Sequence, residues 1–135
     1  MKIQASAEDY LEAILVLSQK KGKVRSVDIA QHMKYSKPTI SIIMKQFRDN
    51  GYINIDPDRN ITLTDKGKKI AQRTYERHML FAKFFIDIGV DEKTAYNDAC
   101  KIEHSISEES FERFRDFYDI FNKRSKEMIH GGVNA

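Results

Sequence analysis

The pattern of residues 26–63 constrains the fold of this chain more than any other feature. It predicts a short helix at about 26–33, a brief turn at 34–35, and a second helix that begins at Ser36 and closes at Gly51. Two helices joined by so short a turn indicate a helix-turn-helix.

A β-hairpin is predicted directly after the second helix. Apolar residues alternate on both sides of the turn-forming sequence "DPDRN", with Ile53 and Ile55 before it and Ile61 and Leu63 after it. A hairpin in this position converts a helix-turn-helix into a winged helix. We therefore predict a mainly α fold whose N-terminal part is a winged helix-turn-helix with a small β-hairpin wing.

Helical patterns flank this motif on both sides. The sequence "SAEDYLEAILVLSQKKG", residues 6–22, offers Ser6 as an N-cap and apolar residues at helical spacing. After the hairpin, three further helices are predicted, at about 65–88, 91–106 and 107–121. The C-terminal half is therefore expected to be entirely helical.

Positive charge is concentrated in one region. Residues 20–77 contain 14 Lys and Arg against 6 Asp and Glu, a net charge of +8, whereas the rest of the chain has a net charge of −5. A basic segment of this kind favours binding to phosphate groups. The alternative is a solvated basic face without a ligand.

The second helix of the motif presents polar and basic residues on one side. Its apolar positions fall at spacings of three and four, so the remaining positions turn outward, as in a recognition helix that reads DNA. Each lysine taken singly is as readily explained by solvation. With the wing tip included, the predicted DNA-binding residues are Ser36, Lys37, Thr39, Ser41, Lys45 and Arg59.

Size and composition narrow the function class. A chain of 135 residues is too short for a large catalytic scaffold, so we expect a binding protein and not an enzyme. One cysteine excludes an internal disulfide, and the sequence has neither a signal peptide nor an apolar run of roughly 20 residues. A cytoplasmic protein with no membrane contact is expected.

The last predicted helix carries an aromatic stripe. Phe111, Phe114, Tyr118 and Phe121 are spaced by three, four and three residues. Such a stripe is often the core of its own domain, but few other elements of so small a chain are left to cover it. We therefore predict that these four residues form a homodimer interface.

Two groups of chemically active residues stand out on other predicted helices. Cys100, Glu103 and His104 lie at positions i, i+3 and i+4, so they share one side of a helix, and Asp9 and Glu12 share a face in the same way. Both groups could hold a metal. Alternatively, the cysteine is a small buried apolar residue and the others are ordinary helix-surface charges.

The order of motifs along the chain resembles the DtxR/MntR family of metal-dependent transcriptional repressors. The similarity covers "AEDYLEAI", the winged helix, "LTDKGKKIAQRTYERHMLFAKFF" and "IGVDEKTAYNDACKIEHSIS". It implies a winged-helix DNA-binding domain, residues 1–64, followed by a helical metal-binding and dimerisation domain, residues 65–135, with a linker helix at about 65–88. The metal ligands that it implies are Asp9, Glu12, His78, Cys100, Glu103 and His104.

The ligand set is a hybrid of two branches of that family. Manganese-responsive members usually have glutamate in place of Cys100, and iron-responsive members usually have methionine in place of Asp9. Because a thiolate disfavours manganese relative to later ions, we expect Fe²⁺ as the physiological ion and Mn²⁺ as the second choice, with Zn²⁺, Co²⁺ or Ni²⁺ able to bind in vitro.

The resemblance implies a function in metal homeostasis. The metal would act as corepressor for a homodimer on a palindromic DNA operator, since two recognition helices must match major grooves roughly 34 Å apart. One alternative is a winged-helix regulator that answers an organic ligand or a protein partner. A cysteine-histidine enzyme is disfavoured because no oxyanion-hole loop adjoins Cys100 and His104.

Overall fold

The computed structural model describes the backbone of residues 7–132 and the side chains of residues 7–124. Within these limits the chain is mainly helical, as predicted. In chain order the elements are α1 (Ala7–Lys21), α2 (Ser26–Met33), α3 (Lys37–Asp49), β1 (Ile53–Ile55), β2 (Ile61–Leu63), α4 (Asp65–Asp87), α5 (Glu92–Ile102) and α6 (Glu108–Gly132). None of these helices has the length and apolar character needed to cross a bilayer.

The chain divides into two compact units, residues 1–76 and 77–135, and the boundary lies inside α4. The N-terminal unit has a continuous apolar core. As the helical spacing predicted, α3 contributes its inward side to this core, where Ile40, Ile43, Met44 and Phe47 are all buried. The first half of α4 belongs to the same unit because Ala71 is buried in that core.

The ends of α2 and α3 have local causes in the sequence. Lys34 adopts the left-handed conformation, with φ of 61°, and ends α2. Two residues later the Ser36 hydroxyl accepts a hydrogen bond from the Thr39 amide at 3.3 Å and so begins α3. The helix-turn-helix is therefore confirmed, whereas the predicted N-cap of α1, Ser6, lies outside the described residues.

The wing is a two-stranded antiparallel hairpin. Ile53 pairs with Leu63 and Ile55 with Ile61, so the predicted alternation buries one side of the hairpin against the core. The amide of Ile61 also donates to the carbonyl oxygen of Val24 at 2.7 Å, which fixes the hairpin to the segment before α2.

The C-terminal unit is entirely helical in its described part. The second half of α4 packs with α5 and α6 around a small aromatic core that contains Phe81, Ala99 and Phe111. Helix α6 continues to Gly132, beyond the expected end near residue 121. Residues 122–128 lack apolar spacing, but most of them have good intrinsic helix propensity.

One glycine allows α4 to pack closely against the residue that precedes β1. A Cβ atom on Gly67 would lie 2.0 Å from the carbonyl oxygen of Tyr52. This oxygen belongs to the backbone and accepts a hydrogen bond from the amide of Thr64 at 3.1 Å, so it has little freedom to move. Any side chain at position 67 must therefore displace the start of α4 from the wing.

We predict that Gly67→Ala destabilises the protein by about 1–3 kcal/mol, the usual cost of overpacking. The direction of this stability change is informative, because replacing glycine by alanine inside a helix normally stabilises the helix. Thermal unfolding followed by circular dichroism measures the effect. Gln72→Ala, at an exposed position of α4, is the control and should change stability by less than about 0.5 kcal/mol. A Gly67→Ala protein at least as stable as the parent would contradict the proposed close packing.

Candidate metal centre and nucleic-acid interface

Four of the predicted metal ligands lie together in the C-terminal unit. Helix α5 ends at Ile102, and Glu103 is its C-cap, still in a helical conformation, with its amide bonded to the Ala99 carbonyl oxygen at 3.1 Å. This geometry keeps Cys100 and Glu103 on the same side of the chain, so that their ligand atoms lie within 4.8 Å of one another. The convergence that the i, i+3 spacing allowed is therefore present.

The Glu103 carboxylate is at the centre of the group. Its side chain is only 1% exposed, and its two oxygens face different imidazoles. Oε1 lies 3.1 Å from Nε2 of His104, and Oε2 lies 3.9 Å from Nδ1 of His78. A carboxylate so deeply buried requires compensating positive charge.

The orientation of His78 is fixed by a backbone carbonyl. Its Nε2 is 3.2 Å from the carbonyl oxygen of Tyr96, and because a carbonyl oxygen only accepts, Nε2 carries the proton. In the neutral ring, Nδ1 then has the lone pair and points toward Glu103. Proteins orient metal-ligating imidazoles by this kind of contact.

The donor set in this unit suits a divalent transition ion. Two imidazoles, a carboxylate and a thiol are the ligands that such ions accept, and a cation would stabilise the facing lone pairs of His78 and Glu103. When bound, the metal supplies the positive charge that a buried carboxylate needs.

Asp9 and Glu12 lie on α1, in the N-terminal unit. Both are partly buried, and their neighbours Tyr10 and Leu11 are in the core. Glu8, in the first turn of α1, accepts a hydrogen bond from the Thr74 hydroxyl at 3.1 Å. This contact fixes the start of α1 to the first half of α4.

A groove runs along the exposed side of α3 in the N-terminal unit. It has a volume of about 350 Å³, and Ser41 and Lys45 of α3 line it together with Arg59 of the wing. An adjoining recess of about 160 Å³ is lined by Lys37, Ser41 and Arg59. The structure thus gathers four of the six predicted DNA-binding residues: Lys37, Ser41, Lys45 and Arg59.

The other two predicted residues are engaged in capping. The hydroxyls of Ser36 and Thr39 lie 2.8 Å apart at the start of α3, and neither residue lines the groove. Three further polar or basic residues line the groove or its recess, Arg25, Ser26 and Arg48; Arg48 lies on the side of the second helix that the apolar spacing turns outward, but it was not among the six. Arg25 and Ser26 lie at the start of α2. The one sequence feature that could have indicated a DNA-binding role for them is their position in the basic segment.

The turn at the wing tip places Arg59 in the left-handed conformation, with φ of 67°. Asp56 holds this turn, because its Oδ1 accepts a hydrogen bond from the Asn60 amide at 2.8 Å. That backbone hydrogen bond lowers the pKa of the Asp56 carboxyl from its ordinary value. The carboxylate therefore stabilises the turn above its ordinary pKa, and this contribution is lost as the pH falls through the lowered value.

The aromatic stripe of α6 is arranged differently from the predicted dimer interface. Phe111 and Tyr118 are buried inside the unit, and the Phe114 ring stacks on Phe81 of α4 with centroids 5.0 Å apart. The rings of α4 also contact the other two residues, Phe81 against Phe111 and Phe84 against Tyr118, and Phe114 remains partly exposed. Sequence spacing alone could not reveal these contacts. Phe121 is 56% exposed, and beside it Phe117 and Ile120 are 70% and 54% exposed.

Two family models match the chain. "Iron dependent repressor, N-terminal DNA binding domain" matches residues 2–61, and "Iron dependent repressor, metal binding and dimerisation domain" matches residues 64–127. Together they cover most of both compact units.

Named relatives and solved structures agree with these models. The transcriptional regulator MntR of Escherichia coli O6:H1 is 37% identical to this chain, over 82% of this chain and 71% of the relative's length. The HTH-type transcriptional regulator MntR of Bacillus velezensis is 36% identical, over 91% of this chain and 89% of the relative's length. The solved structure of the manganese regulator SloR has a TM-score of 0.75 and 27% identity over 87% of this chain and 55% of SloR. The chain spans about half the length of that structure.

We predict that Arg59→Ala makes DNA binding less salt-dependent. If Arg59 contacts a phosphate, its loss should reduce the slope of log K against log salt concentration by about 1 per half-site. Fluorescence anisotropy with labelled duplex DNA at several salt concentrations measures this slope. Arg59→Lys keeps the charge at the same position and should retain the parent slope. An unchanged slope in Arg59→Ala would exclude a phosphate contact.

Proposed function

The chain belongs to the iron-dependent repressor family, also called the DtxR/MntR family, and on that basis we propose that it represses transcription by binding operator DNA when a divalent metal is bound. The observation that carries the proposal is the buried Glu103 carboxylate with two imidazoles and a thiol around it. Membership of a family of transcriptional regulators also agrees with the expectation that the chain is not an enzyme.

The proposed ligand set has two parts with different support. Local geometry supports His78, Cys100, Glu103 and His104, which lie together in one unit. Asp9 and Glu12 are added on the strength of the sequence resemblance and of their hard carboxylate chemistry, which suits Mn²⁺ and Fe²⁺.

The proposed physiological ion is Fe²⁺, with Mn²⁺ second. Cys100 supports iron, because a thiolate donor favours later and softer ions over manganese. Manganese has its own support, since the similar structures include one described as a manganese regulator and one described as a manganese-activated repressor. Another structure of that second repressor is described with bound Zn²⁺, so binding in vitro does not identify the ion in the cell.

The proposed DNA surface is the groove between α3 and the wing. Ser41 and Lys45 on α3 would face base edges and backbone, and Arg59 would contact phosphate beside them. A palindromic operator is proposed because a two-fold dimer presents two such surfaces.

Homodimerisation is proposed through the exposed apolar part of α6. Phe121 belongs to the predicted interface, and Phe117 and Ile120 extend it, giving three large apolar side chains more than half exposed on neighbouring turns. Phe111 and Tyr118 are buried and would support this surface from inside the unit, whereas the partly buried Phe114 stays in the proposed interface.

DNA binding is expected to require metal. Anaerobic protein should bind the operator tightly with Fe²⁺ or Mn²⁺ and weakly after treatment with a chelator, and the metal should restore binding. Fluorescence anisotropy with operator and unrelated duplexes of equal length separates specific from general affinity. Equal affinity for the operator with and without chelator would refute the corepressor role.

Substitutions at Cys100 should change the order in which the protein prefers divalent ions. Cys100→Glu keeps a charged donor and removes the soft one, which should shift preference toward Mn²⁺, whereas Cys100→Ala should weaken all ions. Thermal melts rank the ions, because saturation at a hundredfold excess over Kd stabilises the protein by about 2.7 kcal/mol. If Cys100→Ala shows the parent's stabilisation with every ion, the cysteine is not a ligand.

Phe121→Asp should yield monomers that remain folded, because the side chain is exposed and the subunit core does not depend on it. Light scattering gives the oligomeric state, and circular dichroism confirms the fold. Asp119→Lys changes an exposed residue about 200° away around α6 and should leave the dimer intact. A dimeric Phe121→Asp protein would place the interface elsewhere.

A further inference from the structure

Arg77, the residue before His78, has a buried side chain that the proposed ligand set does not use. It is only 8% exposed, and it is the first residue of the C-terminal unit. Burial of a guanidinium is costly unless its donors are satisfied and its charge is offset. The partners of Arg77 therefore indicate what it contributes.

The Arg77 guanidinium donates hydrogen bonds to the connection between α5 and α6, residues 103–107, and to the first residue of α6. Nη1 donates to the carbonyl oxygen of Glu103 at 3.1 Å and to that of Ile106 at 3.3 Å. Nη2 pairs with the carboxylate of Glu108, and the guanidinium lies 4.8 Å from the centre of the Phe111 ring. The Arg77 side chain on α4 therefore contacts both ends of the connection between α5 and α6.

The connection needs such a partner because of where it lies. The last carbonyl groups of a helix accept no hydrogen bond from within that helix, so they need a donor from elsewhere. The carbonyl of Glu103, the C-cap of α5, is one of these groups. Glu103 and His104, two proposed ligands, are the first residues of the connection. Their position relative to His78 depends on how the connection is held against α4.

We infer that Arg77 is a positioning residue of the metal centre: its guanidinium holds the 103–107 connection and the start of α6 against α4 and thereby sets the separation of Glu103 and His104 from His78. The inference rests on the proposed metal function. Arginine suits this role better than lysine, since its planar fork can serve several acceptors in a fixed geometry. Glu108 balances the charge, which would otherwise oppose a nearby divalent cation.

The test compares Arg77→Met and Arg77→Lys with the parent, using Co²⁺ as the probe under anaerobic conditions. Residues that orient metal ligands typically contribute about 10- to 100-fold to affinity, so Arg77→Met should raise the Co²⁺ Kd by that factor. Arg77→Lys should lie between Arg77→Met and the parent, and the visible Co²⁺ spectrum should change as the ligand geometry changes. Lys93→Met removes an exposed cation of the same unit and should leave affinity and spectrum unchanged.

A second readout uses the protein without metal. Amide hydrogen exchange of residues 103–108 should become faster in Arg77→Met, while exchange in α1 and α3 remains at the parent rate. The inference would be overturned if exchange became uniformly faster across the chain while the folded fraction bound Co²⁺ with the same affinity as the parent. Arg77 would then act only on global stability. If Arg77→Met does not fold, Arg77→Lys and Glu108→Gln are used to test the inference. It is overturned if both variants have the same Co²⁺ affinity and the same visible Co²⁺ spectrum as the parent.

Failure of the proposed metal function has a separate signature. Glu103→Gln removes the central carboxylate and should abolish Co²⁺ binding while Arg77 is intact. If the parent does not bind Co²⁺, or if Glu103→Gln binds it as the parent does, the ligand set is wrong and the inference about Arg77 falls with it. Loss of binding in Glu103→Gln together with parent binding in both folded Arg77 variants overturns the inference alone.

Discussion

The buried carboxylate of Glu103 is the constraint around which the C-terminal unit is organised. An ionised carboxylate that is 1% exposed is stable only beside positive charge or hydrogen-bond donors. The chain places two imidazoles next to its oxygens and a buried arginine on its backbone carbonyl. A divalent cation meets the same requirement more fully, because its charge acts on the carboxylate and on the imidazole lone pairs together. Stability of this unit and metal binding are therefore expected to be linked.

Helix α4 contributes contacts within each of the two units. Near its start, Gly67 allows the helix to approach Tyr52 beside the wing, and Thr74 bonds to Glu8 on α1. Beyond the unit boundary, Arg77 holds the connection between α5 and α6, and His78 faces Glu103. One helix thus supplies packing residues to the N-terminal unit, and Arg77 and His78, two residues with proposed roles at the metal centre, to the C-terminal unit.

Short-range patterns allowed most of the fold to be predicted, and long-range contacts account for what could not be. The spacing of Ile40, Ile43 and Met44 and the alternation around the wing turn identify buried faces, because periodicity records which side is covered. Periodicity does not record what covers that side. The spacing of the α6 stripe therefore predicts a dimer interface without showing that Phe81 of α4 packs against Phe114 within the unit. The roles of Arg25 in the groove and of Arg77 at the connection were likewise not predictable, since each depends on partners distant in sequence.

Anomalous X-ray diffraction from crystals grown anaerobically with Fe²⁺, with data collected on both sides of the iron absorption edge, tests the central claim most directly. The account predicts an iron peak within coordination distance of the Glu103 carboxylate, with the Cys100 sulfur and at least one imidazole of His78 or His104 among its ligands. A metal bound elsewhere in the chain, with the Glu103 carboxylate paired only to protein groups, would contradict it.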